Sequence, residues 1–294
     1  MSAWLACDWG TTNVRAWRIE AGRAVAGASF PFGVSKIGRG DVPLRLNQDI
    51  RPDLKADGLP VLLSGMAGSN LGWMAAPYVD CPADANSVAA ALVQPGEQVW
   101  IVPGVRTVGK PHGPDVMRGE EVQIFGALTS TLPTGLFCLP GTHAKWVRVE
   151  GGKITDFVTA MTGELYALLS QHSILATVQD PTEPEGFAAG LAASGEGDGL
   201  SARLFGLRAR QLTGSLAEAQ AAGFLSGLLI GADVASSPRL LGASDDEPVS
   251  LIGDPALCGA YGQALAARGR SYQTVDGEAA ALAGLISIIE GIAA

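Results

Sequence analysis

An aspartate, a glycine and two threonines stand together near the start of the chain, in the run Cys7-Asp8-Trp9-Gly10-Thr11-Thr12-Asn13-Val14-Arg15. A carboxylate at a strand end can hold a magnesium ion through water. Gly10 lets the backbone turn sharply toward a phosphate. Thr11 and Thr12 offer hydroxyl and backbone N–H donors to phosphate oxygens, and Arg15 can steady the turn or neutralise charge. A second run carries the same kit: Leu139-Pro140-Gly141-Thr142-His143-Ala144-Lys145-Trp146. Gly141 permits close backbone approach, Thr142 supplies a hydroxyl, and Lys145 adds a point charge suited to phosphate. Two such turns, one in each half of the chain, predict a nucleotide clasped between two lobes.

Two further segments extend this chemistry. In Leu251-Ile252-Gly253-Asp254-Pro255-Ala256-Leu257-Cys258 a buried strand ends at Gly253 and Pro255 opens a helix. Ligands of α/β sheets gather at the carboxyl ends of strands, so Gly253 and Leu257 are candidates to meet a base or ribose. In Pro114-Asp115-Val116-Met117-Arg118-Gly119-Glu120-Glu121-Val122-Gln123 acids open a helix. They can serve the helix dipole, or one can act as a general base toward a substrate hydroxyl. Glu120 and Glu121 diverge by about 100° on a helix, so only one can aim at a substrate.

The elements that must position these residues follow an α/β pattern. Strands are predicted at 3–8, 14–19, 24–30, 60–64 and 98–103, with a glycine-rich loop, Gly65 to Trp73, after the fourth. Gly109, Pro111, Gly113 and Pro114 mark 105–116 as irregular, a candidate hinge, before a helix at 119–130. Strands at 135–140, 144–149 and 153–159 then repeat the opening order of strand, Gly-Thr turn, strand, glycine turn, strand. Helices at 161–175, 183–194, 198–211 and 216–235, a strand at 249–252, and helices at 255–268 and 276–291 complete the chain.

Composition narrows the classes. The 294 residues suit two lobes, each with its own core. With 20 basic and 29 acidic residues the formal charge is −9, which argues against nucleic acid as a partner. Mean hydropathy is +0.24, yet the most apolar runs, 223–232 and 279–289, fall short of the roughly 18–20 residues a bilayer span needs. No membrane partner and no signal peptide are expected, because Asp8 interrupts an N-terminus without a basic region. Cys7, Cys81, Cys138 and Cys258 are scattered without metal-ligand spacing, which points to a reduced, cytoplasmic protein. The P-loop, the Gly-x-Gly-x-x-Gly dinucleotide turn and the Gly-x-Ser-x-Gly elbow are all missing from the sequence. Of His112, His143 and His172, the last reads as a structural residue on an apolar helix.

These residues resemble the sugar kinase, actin and heat-shock ATPase superfamily. Asp8 to Arg15 looks like its first phosphate motif, Gly141 to Trp146 its second, and residues 251–262 its adenosine motif; 119–128 and 277–286 look like its two connecting helices. Within it the strings CDWGTTNVRAW, SGMAGSNLGW, PDVMRGEEVQIFGAL and CLPGTHAKWVRVEGGKI, with MTGELYALLSQHSIL after them, resemble the 2-dehydro-3-deoxygalactonokinase family over nearly the whole chain.

The resemblance implies a two-lobed, ribonuclease-H-like (actin/hexokinase-type) α/β fold, with an N-terminal lobe at 1–115 and a C-terminal lobe at 116–294. It implies ATP-dependent phosphorylation of the 6-hydroxyl of 2-dehydro-3-deoxy-D-galactonate, with ATP, magnesium and a small sugar acid as ligands. Asp8 would organise the magnesium, and the turns bearing Gly10, Thr11, Thr12, Gly141 and Thr142 would grip the phosphates. The glycerol-kinase type carries an Asp in a Gly-Asp-Gln-Gln run where this chain has Glu120, so Glu120 is the first candidate base and Asp115 the second. The loop with Ser69, Asn70 and Trp73 would meet the sugar, and Lys36, Arg118 or Lys145 its carboxylate. The rival readings are a nucleotide-gated regulator or ATPase and a polyphosphate-type phosphohydrolase of the same superfamily. A homo-oligomer is compatible with the sequence.

Overall fold

The computed structural model describes residues 3–108, 112–130, 134–175 and 183–293. By internal contacts the chain divides into two units, Met1–Thr134 with Val149–Asp156 and Gly277–Ala294, and Gly135–Arg148 with Phe157–Asp276.

The first unit is built on a six-stranded sheet in the order β3-β2-β1-β4-β7-β6. Its strands are β1 (Trp4–Trp9), β2 (Val14–Glu20), β3 (Arg23–Phe30), β4 (Val61–Gly65), β6 (Val93–Gly96) and β7 (Val99–Ile101). β1 to β3 form an antiparallel meander, and β1, β4 and β7 run parallel. Such strands are buried on both faces and need continuous apolar runs; Leu5 to Cys7 and Val61 to Leu63 supply them and are fully enclosed. The short helices α1 (Val42–Arg45), α2 (Arg51–Asp53) and α3 (Ala85–Ala90) belong to this unit, as does a small sheet of β5 (Tyr78–Asp80), β8 (Gly104–Thr107) and β9 (Asp115–Met117).

This small sheet corrects the expectation that 105–116 is irregular. The turn-forming residues lie between its strands, and the flanking Val105 and Val116 pair antiparallel with Met117 and Arg106. Residues 109–111 lie outside the described residues. The contact division also differs from the expected break between 115 and 116. The helix after β9, α4 (Glu120–Ala127), packs against the last helix, α10 (Gly277–Ala293), so both belong with the first unit. Gly126 and Gly284 permit that packing, since a Cβ on either would overlap a carbonyl of the facing helix.

The second unit carries a five-stranded sheet, β12-β11-β10-β13-β14. Its strands are β10 (Gly135–Leu139), β11 (Ala144–Glu150), β12 (Lys153–Ala160), β13 (Val249–Gly253) and β14 (Tyr272–Asp276), the ends of β11 and β12 belonging to the first unit. The order β12-β11-β10-β13-β14 matches the first five places of the first sheet, β3-β2-β1-β4-β7, and its opening three strands are those of the repeated strand-and-turn pattern in the sequence. Helices α5 (Thr162–His172), α6 (Pro184–Ala193), α7 (Leu200–Leu212), α8 (Ala221–Leu240) and α9 (Pro255–Ala266) complete it. α8 runs longer than the apolar segment seen in sequence. With its lead-in turn it reaches 23 residues, enough by length and composition to cross a bilayer, but its most apolar window is 78% buried within the protein, as a core helix should be. His172, expected to be structural, is exposed in the last turn of α5.

Candidate active site

Asp8 sits at the end of β1, where the parallel register sets it beside Ser64 and sets Trp9 beside Gly65. Across the β1–β2 hairpin Asp8 pairs with Arg15, whose Nη2 donates to Oδ2 at 2.6 Å. The turn between the strands is closed by Gly10 N donating to Asn13 O at 2.8 Å, which leaves Thr11, Thr12 and Asn13 exposed. A groove of about 550 Å³ opens here, lined by Asp8, Gly10, Thr12, Asn13 and Arg15 among others.

The turn is braced from behind. Gly33 N donates to Thr12 O at 2.9 Å, while Ser35 donates to Thr11 O from its N–H at 2.9 Å and from its hydroxyl at 2.7 Å. Gly33 lies so close that a Cβ would overlap the Thr11–Thr12 peptide.

Gly65 is the meeting point of the first unit. It has φ +73, and a Cβ on it would stand 2.7 Å from Trp9 O and 3.4 Å from Asp8 Oδ1. Gly119, the N-cap of α4 with φ +105, approaches the same point: its Cβ would lie 3.2 Å from the Gly65 Cα. Asp8, the glycine-rich loop and the start of the acid-bearing helix therefore converge on one glycine. Parallel strands end there, which is where α/β folds place ligands.

The two glutamates of α4 are separated by burial. Glu120 is half-buried, and its Oε2 accepts from Arg118 N at 3.0 Å. Glu121 is wholly enclosed and accepts from Gly119 N with both oxygens, at 2.9 and 2.7 Å. Burial, aided by the neighbouring Glu120 charge, pushes its carboxyl up to about 8, against the opposing pull of the Gly119 N–H. Of the pair, only Glu120 has solvent access. Asp115, on β9, is also half-buried and accepts from its own neighbour Val116 N at 2.7 Å.

In the second unit the Gly141-Thr142-His143 turn joins β10 to β11, and nothing crowds Gly141. Thr142 is exposed. The N-terminus of α5 docks on it: Glu164 N donates to Thr142 O at 3.0 Å, and a Cβ on Gly163 would lie 2.6 Å from Gly141 O. His143 also pairs with Glu164. Lys145 lies beneath the turn, 5% exposed, with Nζ donating to His143 O at 3.0 Å.

Gly253, φ +144, ends β13 beside Pro140. Asp254 then caps α9 by accepting from Ala256 N and Leu257 N at 2.9 and 3.1 Å. The Leu257 side chain, 40% exposed, lines an apolar pocket of about 150 Å³ with Gly141, Thr162, Tyr166, Leu229 and Tyr261. A larger cavity of about 640 Å³ in the same unit holds Arg239, Arg268 and Arg270, and is a weaker candidate. It contains none of the turn residues, and Glu196 and Asp245 already pair with its arginines.

A model of the 2-keto-3-deoxy-galactonokinase family matches residues 8–288. The 2-dehydro-3-deoxygalactonokinase of Escherichia coli K12 is 37% identical over 292 residues, covering 99% of this chain and 98% of that one. The chain belongs to the 2-keto-3-deoxy-galactonokinase family. A crystal structure from Sinorhizobium meliloti, provisionally described as a 2-dehydro-3-deoxygalactonokinase, superposes with TM-score 0.88 at 31% identity, covering 98% of this chain and 99% of that one. At 12% identity, component A of the (R)-2-hydroxyglutaryl-CoA dehydratase of Acidaminococcus fermentans shares the fold, with TM-score 0.53 over the full length of both chains. The fold is the actin- and hexokinase-type α/β fold expected from the sequence.

Within this galactonokinase-family chain the sugar-side candidates take unequal positions. The Ser69 hydroxyl donates to Met66 O at 2.8 Å and accepts from Leu71 N at 3.2 Å, so it shapes its own loop. Asn70 is exposed, and Trp73 is half-buried against the core of the first unit. Lys36 is exposed on the turn that follows Gly33. Arg118 reaches under the glycine-rich loop: Nη2 donates to Ala76 O at 2.8 Å, the guanidinium covers the Tyr78 ring at 4.5 Å, and Nη1 is buried beside Gly68 without a hydrogen-bond partner among the described residues.

Sequence reasoning passed over Gly33, Ser35, Gly163, Thr162 and Tyr261. Gly33 and Gly163 carry a signal only as glycines outside any turn motif. The others have none, because their roles depend on partners remote in the chain.

Proposed function

We propose that the chain transfers the γ-phosphoryl group of ATP to the 6-hydroxyl of 2-dehydro-3-deoxy-D-galactonate, a step in galactonate breakdown. Membership of the kinase family makes it a phosphotransferase. The observation that carries the site assignment is the convergence of Asp8, Gly65 and Gly119 ahead of Glu120.

In this reading the 6-oxygen attacks the γ-phosphorus, the bond to the β-phosphate oxygen breaks, and ADP leaves. Glu120 accepts the hydroxyl proton, with Asp115 as the second candidate. The Thr11–Thr12 and Gly141–Thr142 turns hold phosphate oxygens through N–H and hydroxyl donors. Arg15 orients Asp8, and Lys145 props the second turn from below. The pocket at Leu257 and Gly253 takes the nucleoside. Arg118 is the preferred partner for the sugar-acid carboxylate, because one of its buried donors has no hydrogen-bond partner among the described residues and lies beside the loop of Ser69, Asn70 and Trp73. Lys36 is the alternative.

Magnesium fits this chemistry. No group of three or more His, Cys, Asp or Glu residues could hold a metal among the described residues. Asp8 alone would then hold the ion with phosphate oxygens and water, the usual arrangement for magnesium in kinases. Its Oδ2 is taken by Arg15, while Oδ1 accepts no hydrogen bond among the described residues. The ion would offset charge on the phosphates. A reducing cytoplasm suits the four unpaired cysteines.

ADP release measured across a panel of 2-keto-3-deoxy sugar acids tests the substrate. Turnover should be highest with the galacto epimer and negligible without a sugar acid. Equal ADP release in its absence would favour the ATPase or phosphohydrolase reading instead.

A further inference from the structure

α8 is apolar along most of its length, yet Asp233 places a carboxylate in its interior, 6% exposed. An ion in such a place must be fully bonded to persist. Four donors converge on it. Oδ1 accepts from Trp146 Nε1 at 2.9 Å and Ser237 Oγ at 2.6 Å. Oδ2 accepts from Thr162 Oγ1 at 2.8 Å and Tyr261 OH at 2.7 Å. One carboxylate thus joins β11, α5, α8 and α9. Burial raises its proton affinity, and all four donors oppose that rise.

Two of the four partners, Thr162 and Tyr261, line the pocket beside Gly141. Thr162 also opens α5, and the next residue, Gly163, presses on the Gly141–Thr142 backbone. Apolar packing could hold these helices together, but it tolerates rotation of the side chains. Hydrogen bonds to a charged centre are directional and fix both the Thr162 rotamer and the tilt of the Tyr261 ring.

We infer that Asp233 is a positioning residue for the nucleotide: it fixes Thr162 and Tyr261, and with them the wall and the α5 terminus that meet ATP. This rests on the reading of the Leu257 pocket as the nucleoside site. The hub concerns ATP alone, so the sugar acid should not sense it.

The test compares Thr162→Val, Thr162→Ser and Tyr261→Phe with the parent protein; the Val and Phe variants keep side-chain bulk, and the Ser variant loses one methyl but keeps the hydroxyl. Asp233→Asn is the direct variant, and the other three decide the matter where it does not fold. KM for ATP, KM for the sugar acid, kcat and the thermal midpoint are measured. Thr162→Val and Tyr261→Phe should each raise KM for ATP about tenfold, the usual effect of losing a bond to a charged group. KM for the sugar acid should not move, and Thr162→Ser, which keeps the hydroxyl, should restore the parent value. Lower thermal midpoints with unchanged KM for ATP would reduce Asp233 to a structural residue and overturn the inference. Leu257→Trp separates the two readings. If it raises KM for ATP while Thr162→Val does not, the inference alone fails. If neither does, the pocket is not the nucleoside site and both fail.

Discussion

Gly119 and Gly65 touch backbone to backbone: a Cβ on Gly119 would lie 3.2 Å from the Cα of Gly65. The contact joins the entry of α4, which carries Glu120, to the strand end beside Asp8. Gly119 also holds φ +105, a conformation that an L side chain rarely adopts. Gly119→Ala should therefore shift the start of α4 and misplace its carboxylate. A displacement near 1 Å costs about 10²-fold in rate, so kcat should fall by about that factor, with a lower thermal midpoint. Steady-state kinetics with unchanged kcat would show that this contact does not aim Glu120.

Glu120→Gln removes the proposed base and leaves the proposed nucleotide site intact. Turnover should drop about 10²–10⁴-fold while ATP binding, followed by calorimetry, persists. Asp115→Asn should stay near the parent rate, since Asp115 lies on β9 with its carboxylate turned onto the Val116 N–H. The reverse ranking would make Asp115 the base, and two active variants would remove the carboxylate base from this segment.

Gly33→Ala tests the brace behind the first turn. The added methyl would overlap the Thr11–Thr12 peptide, and three hydrogen bonds, two from Ser35 to Thr11 O and one from Gly33 to Thr12 O, hold the turn in place. KM for ATP should rise about tenfold or more, with the protein still folded, because the displaced donors lose the proposed phosphate contacts, worth about 1.5–3 kcal/mol each. An unchanged KM for ATP would mean that the turn does not depend on its brace.

Glu121 supplies a pH signature. Its carboxyl is raised to about 8 in the fold and returns to about 4.3 when unfolded. The folded state therefore holds a proton that the unfolded state has released, and stability falls as pH rises between those values. From pH 5 to pH 8 the thermal midpoint should drop on the order of 5 °C. Glu121→Gln, a neutral mimic, should flatten that slope. Equal slopes in both proteins would show that Glu121 titrates normally.

The turns proposed to bind phosphate were legible as turns because their chemistry is local. Which residues can turn sharply, and which can donate to a phosphate, is a property of residue type, and Gly10 to Thr12 and Gly141 to Thr142 lie where the sequence put them. That Arg15 faces Asp8 is set by the hairpin register, which only the fold supplies. The irregular segment was misjudged for a related reason: Gly113 and Pro114 mark a turn clearly, but the three-residue strand after them gains its shape only by pairing with β8.

The amino-acid order by itself determined the α/β fold, the family and the turns on which the phosphates are proposed to rest, since apolar periodicity and turn chemistry are written within a few consecutive residues. Tertiary structure alone decided which glutamate is enclosed, what braces the first turn, and what Asp233 holds. Asp233 meets Thr162 across 71 residues and Trp146 across 87, and Ser35 reaches Thr11 across 24. Burial and long-range hydrogen bonds arise only when the chain has closed on itself, so no window of sequence contains them.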